Sequence, residues 1–89
     1  MKIVALDWNR KNVEHLAKHR VSTAEVEEVV FEDAPFATKE KWGRYYVFGQ
    51  ASSGRYLFMV IALLGNHRAR VITARDMIKR ERQYYQVRR

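Results

Sequence analysis

The sequence predicts an α+β fold, a small mostly antiparallel sheet with two helices ahead of it and one behind. Three observations lead there. Residues 10–31 carry apolar side chains at helical spacing together with a capping-box pair, Ser22 and Glu25. Residues 44–74 read as three runs of strand-forming residues, divided by turn signals at Ala51-Ser-Ser-Gly54 and Gly65-Asn66. From Asp76 onward the pattern returns to helix-forming residues. A chain of 89 residues is enough for one domain, 1–89, with one core.

Ile3–Leu6 is a short run of β-formers and opens the fold as a strand. Asn9 is a fair N-cap for a first helix, in which Val13, Leu16 and Ala17 recur at helical spacing up to Lys18. Ser22 and Glu25 begin a second helix. Its apolar positions are Ala24, Val26, Val29, Val30 and Phe31, with Glu25, Glu27, Glu28 and Glu32 toward water. Asp33-Ala-Pro35 ends it, because proline disfavours the helical conformation in the residue before it. Phe36–Lys39 is a short edge strand, Glu40–Gly43 a turn and Arg44–Gln50 a strand. The unbroken apolar run in Arg55–Leu64 predicts a central strand covered on both faces. His67–Ala74 forms the next strand and Asp76–Val87 the last helix, with Asp76 favourably charged at its start. Regular alternation sets Arg68 and Arg70 on one face with Ile72 and Ala74, and Arg75 on the other.

Charge is distributed unevenly. From Arg44 to the end there are ten Lys and Arg against Asp76 and Glu81, whereas residues 1–43 hold seven cations and eight acids. The net charge of +7 is therefore regional, and a local field of this kind suits a polyanion. The chain has no cysteine, which excludes disulfides, thiolate zinc sites and thiol catalysis and is compatible with a reducing cytoplasm. The longest apolar run, Tyr56–Leu64, is far short of the roughly 20 residues that a spanning helix needs, and no leader-like segment is expected. There is no Walker loop, GxGxxG, HExxH or nucleophile elbow.

The residues that can carry chemistry cluster late. Arg68, Arg70 and Arg75 lie on one strand, and Lys79, Arg80 and Arg82 follow on the helix. Arginine suits phosphate because its planar guanidinium donates two parallel hydrogen bonds, although single arginines here also fit a solvated edge paired with acids. Lys18 and His19 close the first helix, where positive charge is favourable on structural grounds alone. His19 can also accept a proton near neutral pH, and Lys18 can hold a phosphate. His15 and His19, four apart, lack a third metal ligand. Glu81 fits a charge-balancing partner of Arg80 and Arg82, a general base, or a residue that orients an arginine for one. Tyr84 and Tyr85 can stack on bases, or cover the core, with Tyr85 the better placed to do so. Trp8 and Trp42, at element boundaries, read as packing residues.

These residues resemble a known family. Trp8…Lys11…Lys18-His19-x-Val21-Ser22, then Arg44-x4-Gly49, then Arg70-Val-Ile-Thr-Ala-Arg75-x5-Glu81-Arg82-x2-Tyr85 is similar to the BrnT toxin pattern. The resemblance spans nearly the whole chain, and its Ala-Arg…Glu-Arg…Tyr tail is the most specific part. Arg20 stands where the family has glycine, His15 where it has asparagine, and Thr73 where it has serine. The resemblance implies a RelE-like fold and a type II toxin–antitoxin role in the cytoplasm. It also implies a BrnA-like ribbon-helix-helix antitoxin as partner, with operator DNA reached only through that complex.

On this basis the expected activity is metal-independent cleavage of RNA by 2′-hydroxyl attack, with no cofactor and no membrane partner. Arg70 and Arg75 would clamp the phosphate and Arg44 would help from a neighbouring strand. His19, Lys18 and Glu81, in that order, are the candidates for proton transfer. Arg68, Lys79, Arg80, Arg82 and Tyr85 would bind RNA around them. The alternative expectation is a nucleic-acid-binding or antitoxin-binding module without catalysis.

Overall fold

A computed structural model describes residues 2–88; Arg89, counted in the basic stretch, lies outside the described residues. The order is β1 (Ala5–Asp7), α1 (Arg10–Lys18), α2 (Thr23–Phe31), β2 (Phe36–Lys39), a 3₁₀ turn (Lys41–Gly43), β3 (Arg44–Gln50), β4 (Tyr56–Gly65), β5 (Arg68–Asp76) and α3 (Lys79–Arg88). The first strand thus begins two residues later than the sequence suggested.

Both early helices are bounded by the predicted caps. The Asn9 side chain accepts from the Asn12 amide at 2.8 Å, satisfying one of the free N–H groups of α1. Ser22 and Glu25 form the reciprocal capping box of α2. Between them α1 closes in a Schellman arrangement: the Val21 amide donates to the Leu16 carbonyl at 3.1 Å and the Arg20 amide to Ala17 at 2.9 Å. Arg20 takes the left-handed position at φ 60° that glycine favours there, and Val21 is buried behind it. Glu25 does not simply face water. It is half-buried and bonded to Arg55, whereas Phe31, expected in the core, is exposed.

The late elements shift more. The β4–β5 turn falls on Asn66 and His67, at φ 53° and 60°, one residue beyond the expected Gly65-Asn66. Two consecutive left-handed residues are the requirement of a type I′ hairpin turn, which matches the twist of the strands. Asp76 belongs to the end of β5 and not to the last helix. The start of α3 is instead served by Glu81, whose carboxylate accepts from the Ile78 amide at 3.0 Å.

The five strands form one mixed sheet in the order β1-β5-β4-β3-β2. Neighbours among β2 to β5 run antiparallel, but β1 adds to β5 as a parallel edge, Asp7 opposite Arg70. Alternation along the central strand β4 assigns the faces. Leu57, Met59 and Ile61 point with Val47, Ala69, Val71 and Ala74 into a cluster closed by Leu16 of α1 and Val26 and Val29 of α2. Phe58 points the other way, into a smaller cluster with Phe48, Met77 and Tyr85 under α3. The prediction that β4 is covered on both faces holds at Leu57–Met59 and fails beyond Ala62, where Leu63 and Leu64 are exposed. Gly49 sets how closely α2 approaches: a Cβ there would sit 2.4 Å from Val29 Cγ1.

Candidate nucleic-acid interface

The two-residue period of a strand fails once in β5, and that failure shapes the site. Ile61 pairs with Val71, but the next residue of β4 toward its start, Val60, pairs with Thr73, leaving Ile72 as the extra residue of a bulge. Beyond the bulge the alternation is reversed. Arg70 lies opposite Ala62 and Arg75 opposite Phe58. Ala62 and Phe58 share a face of β4, so Arg70 and Arg75 share one too. This corrects the expectation of opposite faces, which assumed an unbroken strand; Ile72 and Ala74 also part, Ala74 into the core and Ile72 half-buried.

Arg44 of β3 faces Ala62 from the other side, so Arg44 and Arg70 flank it in one row. Their Cα atoms are then two strand spacings apart, about 10 Å. Tyr46 and Val60 form the next row toward α3, and Phe48, Phe58 and Arg75 the row after that. Because α3 covers only this last end, a strip of sheet remains open with arginines at its margins.

Arg75 is the most constrained of them. Its Nη1 and Nη2 donate to Glu81 Oε1 and Oε2 at 2.8 and 2.9 Å, and its Cζ lies 4.6 Å from the centre of the Phe58 ring. The Arg75 guanidinium holds the Glu81 carboxyl below its ordinary range, aided by the Ile78 amide and against the effect of burial. The same pairing raises Arg75 further. Glu81 is therefore a carboxylate that fixes an arginine, and a weak base at neutral pH.

Arg80 lines a hollow of about 300 Å³ with Thr38, Tyr46 and Tyr84, between α3 and β2–β3. Lys79 is exposed, Arg82 lies over the Tyr56 ring at 5.9 Å, and Arg68 is paired with Asp7 of β1. Tyr85 cannot stack on RNA as expected. It is 3% exposed in the core beneath α3, because its position on the helix faces the sheet. Tyr84 is half-buried against Phe36 and Phe48.

Lys18 and His19 stand apart from the strip. They end α1, whose Leu16 is buried on the opposite face of the sheet. The link between the two sides is His15, whose Nε2 is 3.0 Å from Thr73 Oγ1 and whose ring meets His19 edge-on at 5.4 Å. This contact is possible because β1 pairs with β5 no further than Arg70, leaving the outer edge of β5 open beside α1. Among the described residues no group of three or more His, Cys, Asp or Glu is gathered as a metal site, and no helix is long and apolar enough to cross a membrane.

Arg55, which sequence reasoning passed over, is the tie that holds this corner. It donates to Asp76, to Glu25, and to the carbonyls of Arg20 and His19 at 2.6 and 3.2 Å. One side chain thereby joins the α1–α2 turn, α2 and the end of β5. Arg55 holds the Asp76 carboxyl below its ordinary range. Glu25, which burial would push up, is held low by the Ser22 amide and Arg55. No periodicity marks Arg55, since it follows a hairpin turn and its partners are distant in sequence. Trp42 also departs from the packing role expected of it: it is 87% exposed. Its signal was present as an aromatic residue beside Gly43 at the tip of a hairpin.

A family model described as ribonuclease toxin, BrnT, of type II toxin-antitoxin system matches residues 8–81. Among solved structures, the 1.1 Å crystal structure of the Brucella abortus ribonuclease toxin BrnT superimposes with a TM-score of 0.64. It is 18% identical, with 89% of this chain and 99% of that one covered. At that identity the likeness shows a common fold. No curated protein matches the chain.

Proposed function

The chain belongs to the BrnT family of ribonuclease toxins of type II toxin–antitoxin systems, and we propose that it is itself such a toxin, cutting RNA on the open strip of its sheet. A ribose 2′-hydroxyl attacks the adjacent phosphorus; the O2′–P bond forms as the P–O5′ bond breaks. The 2′-hydroxyl proton passes to a base and O5′ gains one from an acid, leaving a 2′,3′-cyclic phosphate and a 5′-hydroxyl. Arg44, Arg70 and Arg75 supply charge for the phosphate oxygens as negative charge builds on them. Arg68, Lys79, Arg80 and Arg82 extend that field along the RNA.

The proton transfers fall to His19, then Lys18, then Glu81. The first two are reached around the open outer edge of β5, where His15 bonds Thr73 and holds a further imidazole beside the strip. Glu81 then acts chiefly as a positioning residue for Arg75. The reaction uses no metal in this scheme. The protein acts as one RelE-like domain, 1–89, in the cytoplasm, restrained by a ribbon-helix-helix antitoxin through which operator DNA is reached.

The observation that supports this reading most is the bulge at Ile72, since without it Arg70 and Arg75 would not share a face. The test is RNA cleavage by purified protein in EDTA, with and without ribosomes, beside Arg70→Ala. Wild-type protein is expected to leave cyclic-phosphate ends, and the variant to cut about a hundredfold more slowly. RNA left intact by wild-type protein under both conditions would remove the reading.

One observation favours a second reading, a module that binds nucleic acid or antitoxin without catalysis. The fork of Arg75, which a phosphate would need, is already filled by Glu81. Such a module would bind RNA with steep salt dependence and leave it uncut.

A further inference from the structure

Among the described residues, the large apolar side chain that the fold leaves most in the open is Trp42, at the tip of the β2–β3 hairpin. The tip is tightly made. The Glu40 amide donates to the Arg44 carbonyl at 2.8 Å, and the Arg44 amide to Lys41. Trp42 takes φ 66° and ψ 32° there, the left-handed region that bulky residues avoid. Asparagine or glycine would hold this backbone with less strain, and neither would set an indole in water. The local geometry gives no reason for tryptophan. Strain of this kind in an exposed aromatic residue points outward, to a ligand.

The surroundings identify the ligand's chemistry. Trp42 borders a hollow of about 390 Å³ together with Lys41, Arg44, Tyr46, Val60 and Ile72. Arg44 and Tyr46 are exposed and belong to the open strip, in rows successively nearer to Arg75. Glu40, the acid in this hollow, is engaged by the Thr38 hydroxyl at 3.2 Å. An aromatic plate beside two cations, continuous with a strip bearing Arg70 and Arg75, matches a nucleotide of single-stranded RNA. Its base has a face to stack and its phosphate a charge to pair. An acidic protein surface would use the cations and leave the ring wet.

We propose that Trp42 is a stacking platform for a base of single-stranded RNA, at the end of the strip remote from α3. The inference rests on the reading of that strip as an RNA site. The base it holds belongs to a nucleotide flanking the cleaved bond, so Trp42 contributes to affinity and base preference.

The test measures binding of a mixed-sequence 2′-O-methyl oligoribonucleotide, which lacks the attacking hydroxyl, to full-length wild-type, Trp42→Asn and Trp42→Phe proteins. Asparagine accepts the left-handed backbone, so Trp42→Asn should melt no lower than wild type yet bind roughly tenfold more weakly or worse. Phenylalanine should restore most of that loss, and the slope of affinity against salt should not change, because the ring carries no charge. Wild type and Trp42→Asn binding equally well would overturn the platform and leave the RNA reading standing. Failure of the wild type to bind would overturn both. A Trp42→Asn protein that keeps its RNA affinity but loses hold of the antitoxin would overturn the proposal and give the tip to a protein partner.

Discussion

On one face of the sheet Leu57, Met59 and Ile61 of β4 are fully buried beneath α1 and α2. On the other, α3 covers Phe58 and holds Arg75 through Glu81, while Ala62, flanked by Arg44 and Arg70, lies outside the buried cluster beneath it. The first face carries no cation in its cluster, and the second gathers Arg44, Arg70 and Arg75. A charge placed under α1 and α2 would lose its hydration without a matched partner, a loss that commonly exceeds any gain. The fold therefore concentrates apolar burial on one side and keeps charge on the side where helix cover runs out. The sealed side sets stability and the half-open side is free to meet a ligand.

Substitutions can break or sharpen this contrast. The largest effect is expected for Ile61→Ala on the sealed face, about 2–5 kcal/mol of stability by denaturant unfolding. Cleavage per folded molecule should persist. Arg55→Ala should follow at about 2–3 kcal/mol, because it strands Asp76, Glu25 and two carbonyls at once. That difference should depend on pH. The folded pKa values of Asp76 and Glu25 lie below their ordinary values of 3.8 and 4.5. Their pairing with Arg55 thus stabilises fully above those values and is lost as pH falls through the lowered ones. The gap between wild type and Arg55→Ala should therefore narrow as pH falls through the lowered values, leaving the part that comes from the carbonyls of Arg20 and His19, which do not titrate.

Gly49→Ala comes next, at about 1–3 kcal/mol, since its new methyl meets Val29 and α2 must lift. The smallest change in stability is expected for Arg44→Ala, within about 0.5 kcal/mol, while RNA affinity falls and its salt slope drops by about one. If Arg44→Ala destabilised the protein as much as Gly49→Ala, the division of labour between the faces would not hold.

Much of this division was legible in the sequence, and the reasons it was not wholly so are local. Caps are chemical signals within four residues, so α1 and α2 were found with their starts. The apolar run of β4 gave its central place. Neither signal reports a bulge: Ile72 looks like any strand residue, and only pairing with β4 reveals it as the extra one. Reading through it put Arg75 on the wrong side. The parallel edge β1 was equally hidden, because a short apolar run does not name its neighbour. Asp76 looks like a helix start because acids are favoured there, but it pairs with Leu57 as the last residue of β5, and its side chain accepts from Arg55. The arginines of the strip were found by charge, whereas Arg55 and Trp42 needed tertiary partners, or their absence, to be understood.

The position of β5 between β1 and β4 has a consequence for how the protein comes into being. Synthesis delivers the chain from its N-terminus, and a nascent chain that has reached only the end of β4 has α1, α2 and three consecutive antiparallel strands. It lacks Ala69, Val71 and Ala74, which complete the larger core, and the strand on which β1 and α1 rest. Arg70, Arg75 and Glu81 are encoded in that same late stretch. Folding and arming are therefore linked: Arg70 and Arg75 join Arg44 on the strip with the same strand that completes the core. A message cut short before β5 yields a chain without the strand that completes the larger core and without Arg70, Arg75 and Glu81.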